Sequence, residues 1–215
     1  MVGTVLSEKQ RPSAASLPGP ISPQARVVLK PLPALPWIGP LVRVHTPGRS
    51  PVWFGRGPRS RFDDPRAEYG VLYAGDSLRC AYLETLRIEK HPDDPAPPGP
   101  TEAWLGARSW SRLVPTRPLR LVDLVDHQPH LGISGEVLAA PDYAASQAWS
   151  RRFYEHPDAV DGILYRARHD LGRRSLALFS RPDGPPLRIE QTTGFLEDRS
   201  VTIDLLRECG HVLLP

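Results

Sequence analysis

Residues 69–88 read YGVLYAGDSLRCAYLETLRI, and the change of period inside them decides the kind of fold. Tyr69 to Ala74 is a short apolar run with the length and composition of a strand. Gly75-Asp76-Ser77 follows as a turn, with Ser77 suited to cap a helix. From Leu78 to Ile88 the positions 78, 81, 82, 85 and 86 recur at helical spacing, and Glu84 lies off the centre of that stripe.

Working outward, Leu41–His45 alternates between prolines and reads as a strand. Pro47 to Pro58 is a loop rich in Gly, Pro and Arg that carries Trp53-Phe54. Residues 1–36 hold Pro12, Pro18, Pro20, Pro23, Pro31, Pro33 and Pro36 without either period. They read as a proline-rich tail or wrapping arm, ahead of a single domain over residues 37–215 that Trp37 and Ile38 would anchor. Towards the C-terminus, His91–Pro100 is a surface loop and Ala103–Val114 an edge strand or arm. Leu119–Leu124, Ile163–Arg166, Ser175–Phe179, Leu187–Glu190 and His211–Leu214 read as strands. Ser134–Ala140, Pro141–Tyr154 and Val201–Glu208 read as helices, the last closed by Gly210, and Asp161-Gly162 as a turn. About eight short strands and four helices result, with the helices clustered between groups of strands. That pattern predicts an α+β fold with mostly antiparallel pairing, not a doubly wound sheet.

Composition agrees. The chain has 215 residues, enough for one substantial domain. Its 26 prolines, more than double a usual ~5 %, exclude a helical bundle or coiled coil. Of 27 basic residues only Lys9, Lys30 and Lys90 are lysine; the rest are arginine, whose planar fork suits phosphate or carboxylate. A net charge of +3 argues against direct nucleic-acid binding. Cys80 and Cys209 are the only cysteines, so neither a disulfide framework nor zinc spacing is present, and no metal is expected. The start lacks the pattern of a signal peptide, and no apolar run approaches ~18 residues, so a cytoplasmic protein without a membrane span is expected. His127 and His130, with a proline between them, read as solvated loop, and Asp63-Asp64 before Pro65 as a turn cap.

GxGxxG, P-loop, GxSxG and HExxH motifs are all absent. Instead, five segments follow one another: Leu41-Val-Arg43-Val, Arg61-Phe62-Asp63-Asp64-Pro65, Gly70-Val-Leu-Tyr73-Ala74, Ala81-Tyr-Leu-Glu84-Thr85, and Asp161-Gly162-Ile-Leu-Tyr165-Arg-Ala167-Arg168-His169-Asp170. This order resembles the RES-domain family, named for an arginine, a glutamate and a serine. The resemblance covers about Leu41 to Arg181 and is closest to members with an Arg-Phe-Asp-Asp-Pro segment.

The resemblance implies a split, mostly antiparallel sheet similar to the diphtheria-toxin-like ADP-ribosyltransferases. It also implies an enzyme that cleaves the nicotinamide–ribose bond of NAD. Several RES proteins are toxins of toxin–antitoxin pairs, held by an antitoxin with a helix-turn-helix domain. Their acceptor is water, phosphate or, in some, a protein. By the same resemblance Glu84 is the carboxylate beside the ribose, Arg43 and Arg61 face the pyrophosphate, and Tyr73 stacks on nicotinamide. The chemistry suits these residue types: a carboxylate stabilises the oxocarbenium-like centre, and arginine forks match phosphate. Trp53, Phe54 and Phe62 either line the same cleft or pack in the core. One position departs from the pattern. The family serine falls at Ala167, which has no hydroxyl. The substitution is engineered, or natural with lost or altered activity, or compensated by another residue such as Ser175. Three readings stay open: an NAD glycohydrolase or phosphorylase, a protein ADP-ribosyltransferase, and a catalytically dead protein that binds NAD or a partner. Oligomeric state stays open as well.

Overall fold

In a computed structural model, residues 31–89 and 99–214 are described. The first 30 residues of the expected arm, and residues 91–98 of the proline-rich loop, lie outside them.

Eight strands form one sheet: β1 (Ala34–Trp37), β2 (Leu41–His45), β3 (Val71–Gly75), β4 (Ser109–Pro115), β5 (Leu119–Asp123), β6 (Gly162–Arg166), β7 (Arg174–Phe179) and β8 (Leu187–Gly194). The helices are α1 (Leu78–Glu89), α2 (Glu102–Gly106), α3 (Gln128–Leu131), α4 (Gly135–Ala139), α5 (Ala144–Glu155) and α6 (Arg199–Cys209). The strand order is β1-β5-β6-β7-β3-β2-β4-β8. Every pairing is antiparallel except β5 with β6, whose connection is long enough to hold α3, α4 and α5. The fold is therefore α+β with a mostly antiparallel sheet, as the clustering of helices between groups of strands predicted.

The sheet has one weak seam. β2 and β3 pair only at Val42↔Gly75, whereas β3 runs beside β7 for its full length. The sheet thus opens between β2 and β3. On one face, α5 packs with Phe62, Tyr69, Trp149, Phe153, Ile163 and Phe179 over the β5-β6-β7-β3 half. On the other half, α1, α2 and α6 cover Val42, Val44 and Trp110 with Tyr82, Leu86 and Leu205. Leu41, Leu72, Leu113, Leu121, Leu164 and Leu176 form a third cluster drawn from both halves, inside the curl of the sheet.

Several local expectations are corrected. Ala34–Trp37, whose first three residues fall in the span read as irregular arm, is an edge strand that tolerates Pro36 because its far side needs no partner. Ala103–Val114 is not an edge strand or arm. Thr101 caps a short helix by accepting the Trp104 N–H at 3.0 Å, and the strand after it is internal, between β2 and β8. His211–Leu214 is not a strand either. The His211 N–H closes α6 on the Leu206 carbonyl, and only Leu214 bridges back, to Thr101. Asp161-Gly162 is not a turn but the entry of β6. Asp161 exchanges backbone bonds with Arg120 and Phe179, and a Cβ on Gly162 would stand 2.3 Å from the Ala177 carbonyl oxygen.

Candidate active site

The strand–turn–helix unit from Tyr69 is built as its residues suggest. Ser77 Oγ accepts the Cys80 N–H at 3.2 Å. Gly75 lets the helix start close against the strand end, since a Cβ there would lie 2.8 Å from the Ala81 nitrogen. α1 consequently rises beside the β2–β3 opening, with Glu84 half-buried one turn and a half along it. Glu84 Oε1 accepts the His169 N–H at 2.7 Å. Nearer the start of the helix, Arg79 Nε donates to Asp170 at 2.9 Å. The segment leaving β6 is therefore strapped to α1 at two points.

A cleft of about 960 Å³ lies here, at the upper end of the range for ligand sites. Arg43, Arg61, Tyr73 and Glu84 all line it, although they come from β2, the loop before β3, β3 and α1. Five arginines line the cleft (43, 59, 61, 79 and 168) against one carboxylate, Glu84. Arg79 is neutralised by Asp170 and Glu208, whereas Arg59, Arg61 and Arg168 make no ion pair among the described residues. A ligand with several negative charges suits that lining.

Each side chain is held differently. Arg43 Nη1 donates to the carbonyls of Pro51 (2.9 Å) and Trp53 (2.6 Å), which ties the 46–54 loop to β2. Burial, helped by the charge of Arg49, brings its pKa down to about 10, so it stays cationic at neutral pH. The Tyr73 hydroxyl donates to Asp63 Oδ1 at 3.0 Å and accepts the Phe62 N–H at 2.9 Å. Burial and the nearby Asp63 charge push that phenol well above 10. Arg61 lies with its guanidinium carbon 5.8 Å from the Tyr165 ring centre and 6.0 Å from that of Phe62. Asp63 and Asp64 are caps, as their place before Pro65 suggests. Asp63 takes the N–H groups of Arg59 and Ser60, and Asp64 takes those of Arg66, Glu68 and Tyr69 and an Arg151 Nη1.

The floor holds Tyr165 and Ser175, register partners on β6 and β7. Burial drives the Tyr165 phenol far up, the Glu84 charge adds to that, and a hydrogen bond from Ser175 acts against it. Ser175 Oγ stands 3.4 Å from Cys80 Sγ, whose own pKa burial raises to about 12. Ala167 is fully buried and does not line the cleft; its N–H donates to the Arg173 carbonyl at 3.1 Å. Trp53, Phe54 and Phe62 do not line it either. Phe62 is core, Phe54 packs against the leucine cluster, and half-exposed Trp53 carries Arg49 at 4.4 Å.

The sequence reading missed how Arg61 is positioned. Three polar side chains on α5 donate to consecutive carbonyls of the preceding loop: Gln147 to Ser60 (2.9 Å), Ser146 to Arg61 (2.8 Å) and Ser150 to Phe62 (2.6 Å). All three are buried. The signal available was polar residues recurring at positions 146, 147 and 150 among the apolar positions of one helix. Among the described residues no group of three or more His, Cys, Asp or Glu is placed to hold a metal ion, and no helix is long and apolar enough to cross a membrane.

Comparison with known proteins gives a matching picture. A family model described as the RES domain matches residues 40–203, which span β2 to the first turn and a half of α6. A chain of the M. tuberculosis MbcT–MbcA toxin–antitoxin complex superposes with a TM-score of 0.61 at 18% identity, covering 80% of this chain and 91% of that one. At that identity the likeness is one of fold. No curated protein matches.

Proposed function

The chain belongs to the RES-domain family, and on that premise we propose that it cleaves the nicotinamide–ribose bond of NAD as the toxin of a toxin–antitoxin pair. The single observation that carries this reading is the convergence of Arg43, Arg61, Tyr73 and Glu84 on one arginine-rich cleft at the opening of the sheet. Arg43 and Arg61 would take the pyrophosphate, and Tyr73 would set the nicotinamide end.

The C–N bond breaks with both electrons passing to the nicotinamide nitrogen, which leaves as a neutral base, so no strong general acid is required. Positive charge grows on the ribose carbon. Glu84, fixed by the His169 N–H, stands where a carboxylate stabilises that charge and accepts from a ribose hydroxyl. The acceptor oxygen, from water or phosphate, then bonds to that carbon and gives up its proton. The partner would be an antitoxin, by analogy with the MbcT–MbcA complex; a helix-turn-helix domain in it is what the family resemblance adds.

The experiment is direct. Purified protein is mixed with NAD, with and without inorganic phosphate, and free nicotinamide and the ADP-ribose product are followed. Nicotinamide release without any protein acceptor supports the reading. Release only when an acceptor protein is present would favour a protein ADP-ribosyltransferase, and binding without release a catalytically dead protein.

A further inference from the structure

Two residues of α1 reach the same short connection. Glu84 Oε1 accepts the His169 N–H at 2.7 Å, and Arg79 Nε donates to the carboxylate of the next residue, Asp170, at 2.9 Å. Arg79 and Glu84 stand five positions apart, about 7.5 Å along the helix axis, whereas His169 and Asp170 are neighbours in the chain. The connection from β6 to β7 is a closed turn: the Ala167 N–H donates to the Arg173 carbonyl at 3.1 Å, and the Arg173 N–H to the Asp170 carbonyl at 2.8 Å. Its return leg is tied down where β7 begins, since the Asp76 N–H donates to the Arg174 carbonyl (3.0 Å) and the Arg174 N–H to the Asp76 carboxylate (2.9 Å). The outgoing leg leaves the sheet with Arg168 and His169 exposed. A backbone N–H on it orients a carboxylate only as well as the leg itself is fixed. The Asp170 side chain, 13% exposed and outside the cleft lining, anchors this leg to α1. Its partner is held in turn: Arg79 Nη1 donates to the Glu208 carbonyl at 3.2 Å, in the last turn of α6, where a cation is favoured.

We propose that Asp170 is a positioning residue: its ion pair with Arg79 sets the outgoing leg against α1, so that the His169 N–H holds the Glu84 carboxylate towards the ribose. The inference rests on the NAD-cleaving reading above and deepens it. A single partly exposed ion pair adds little to folding, so its loss falls on the geometry of Glu84 and not on the stability of the chain.

Nicotinamide release is measured for wild type, D170A, E84Q and the double variant, with melting temperature recorded for each. Expected for D170A are a kcat down about tenfold, KM within about threefold and a melting temperature within a few degrees of wild type. On the E84Q background D170A should cost less than about twofold more, because Asp170 acts through Glu84. A D170A kcat within about twofold of wild type overturns the proposal while leaving NAD cleavage in place. So do losses that multiply in the double variant, since Asp170 would then act apart from Glu84. Should D170A fail to fold, R79Q cuts the same ion pair from the helix side and carries the same cycle; wild-type kcat in R79Q, or losses that multiply with those of E84Q, overturn it. A wild-type protein that releases no nicotinamide overturns the functional reading itself, and this inference with it.

Discussion

Replacing Ser150 with alanine removes the hydroxyl that donates to the Phe62 carbonyl at 2.6 Å, a bond buried at both ends. No water reaches that carbonyl, so the loss is the desolvation of an unpaired acceptor, about 1–3 kcal/mol. For a chain of this size that corresponds to a fall in melting temperature of roughly 2–12 °C. The same bond fixes the loop that carries Arg61, so the effect should extend to substrate binding, with KM for NAD rising several-fold. Ser146→Ala should act alike through the Arg61 carbonyl, which Ser146 holds at 2.8 Å. The checks are thermal unfolding and steady-state nicotinamide release on the same samples. An S150A protein with unchanged melting temperature and unchanged KM would refute the claim that α5 positions the arginine.

Three further outcomes are expected. Glu84→Gln should cut nicotinamide release by about 10²–10³-fold, the scale of losing one preorganised stabilising group, with melting temperature within a few degrees, because Gln keeps the acceptor for the His169 N–H. Ala167→Ser should leave turnover within about twofold, because position 167 is fully buried and does not line the cleft, whereas a rise of about tenfold or more would show that a hydroxyl here serves the site. Asp161 is pushed up by burial, but two 2.8 Å bonds from Arg117 and one from the Arg120 N–H outweigh that and hold its pKa below the ordinary value. A depressed carboxylate adds stability above its unfolded pKa of about 4, and that stability fades as pH falls towards the lower folded value. Wild type should therefore lose its advantage over Asp161→Asn on acidification below about pH 4, read by urea titrations at stepped pH; a constant difference down to about pH 2 would contradict the assignment.

The parts of the fold legible in the sequence are those with a local signature. The period change at Gly75 marks β3 and α1, and Gly210 marks the end of α6, because each of these rests on neighbours in the chain. The ordered polar positions at 43, 61, 73 and 84 point to residues that the fold brings to one cleft. What stays hidden depends on distant partners. β1 exists only because β5 offers an edge, and the His211 N–H is diverted from a strand by a helix cap. The opening between β2 and β3 is a matter of register that neither strand states by itself. The side-chain to backbone bonds from α5 to residues 60–62 span more than 80 positions and follow no period. Gly162 reads as a turn because glycine often is one; its reason is the approach of β7.

The central claim is that one cleft surrounds a dinucleotide, and the structure of the Glu84→Gln protein with NAD bound tests it most directly. The account predicts the pyrophosphate on Arg43 and Arg61, the nicotinamide by Tyr73, and the ribose carbon facing residue 84. NAD bound away from this cleft, or no NAD density at saturating concentration, would contradict it.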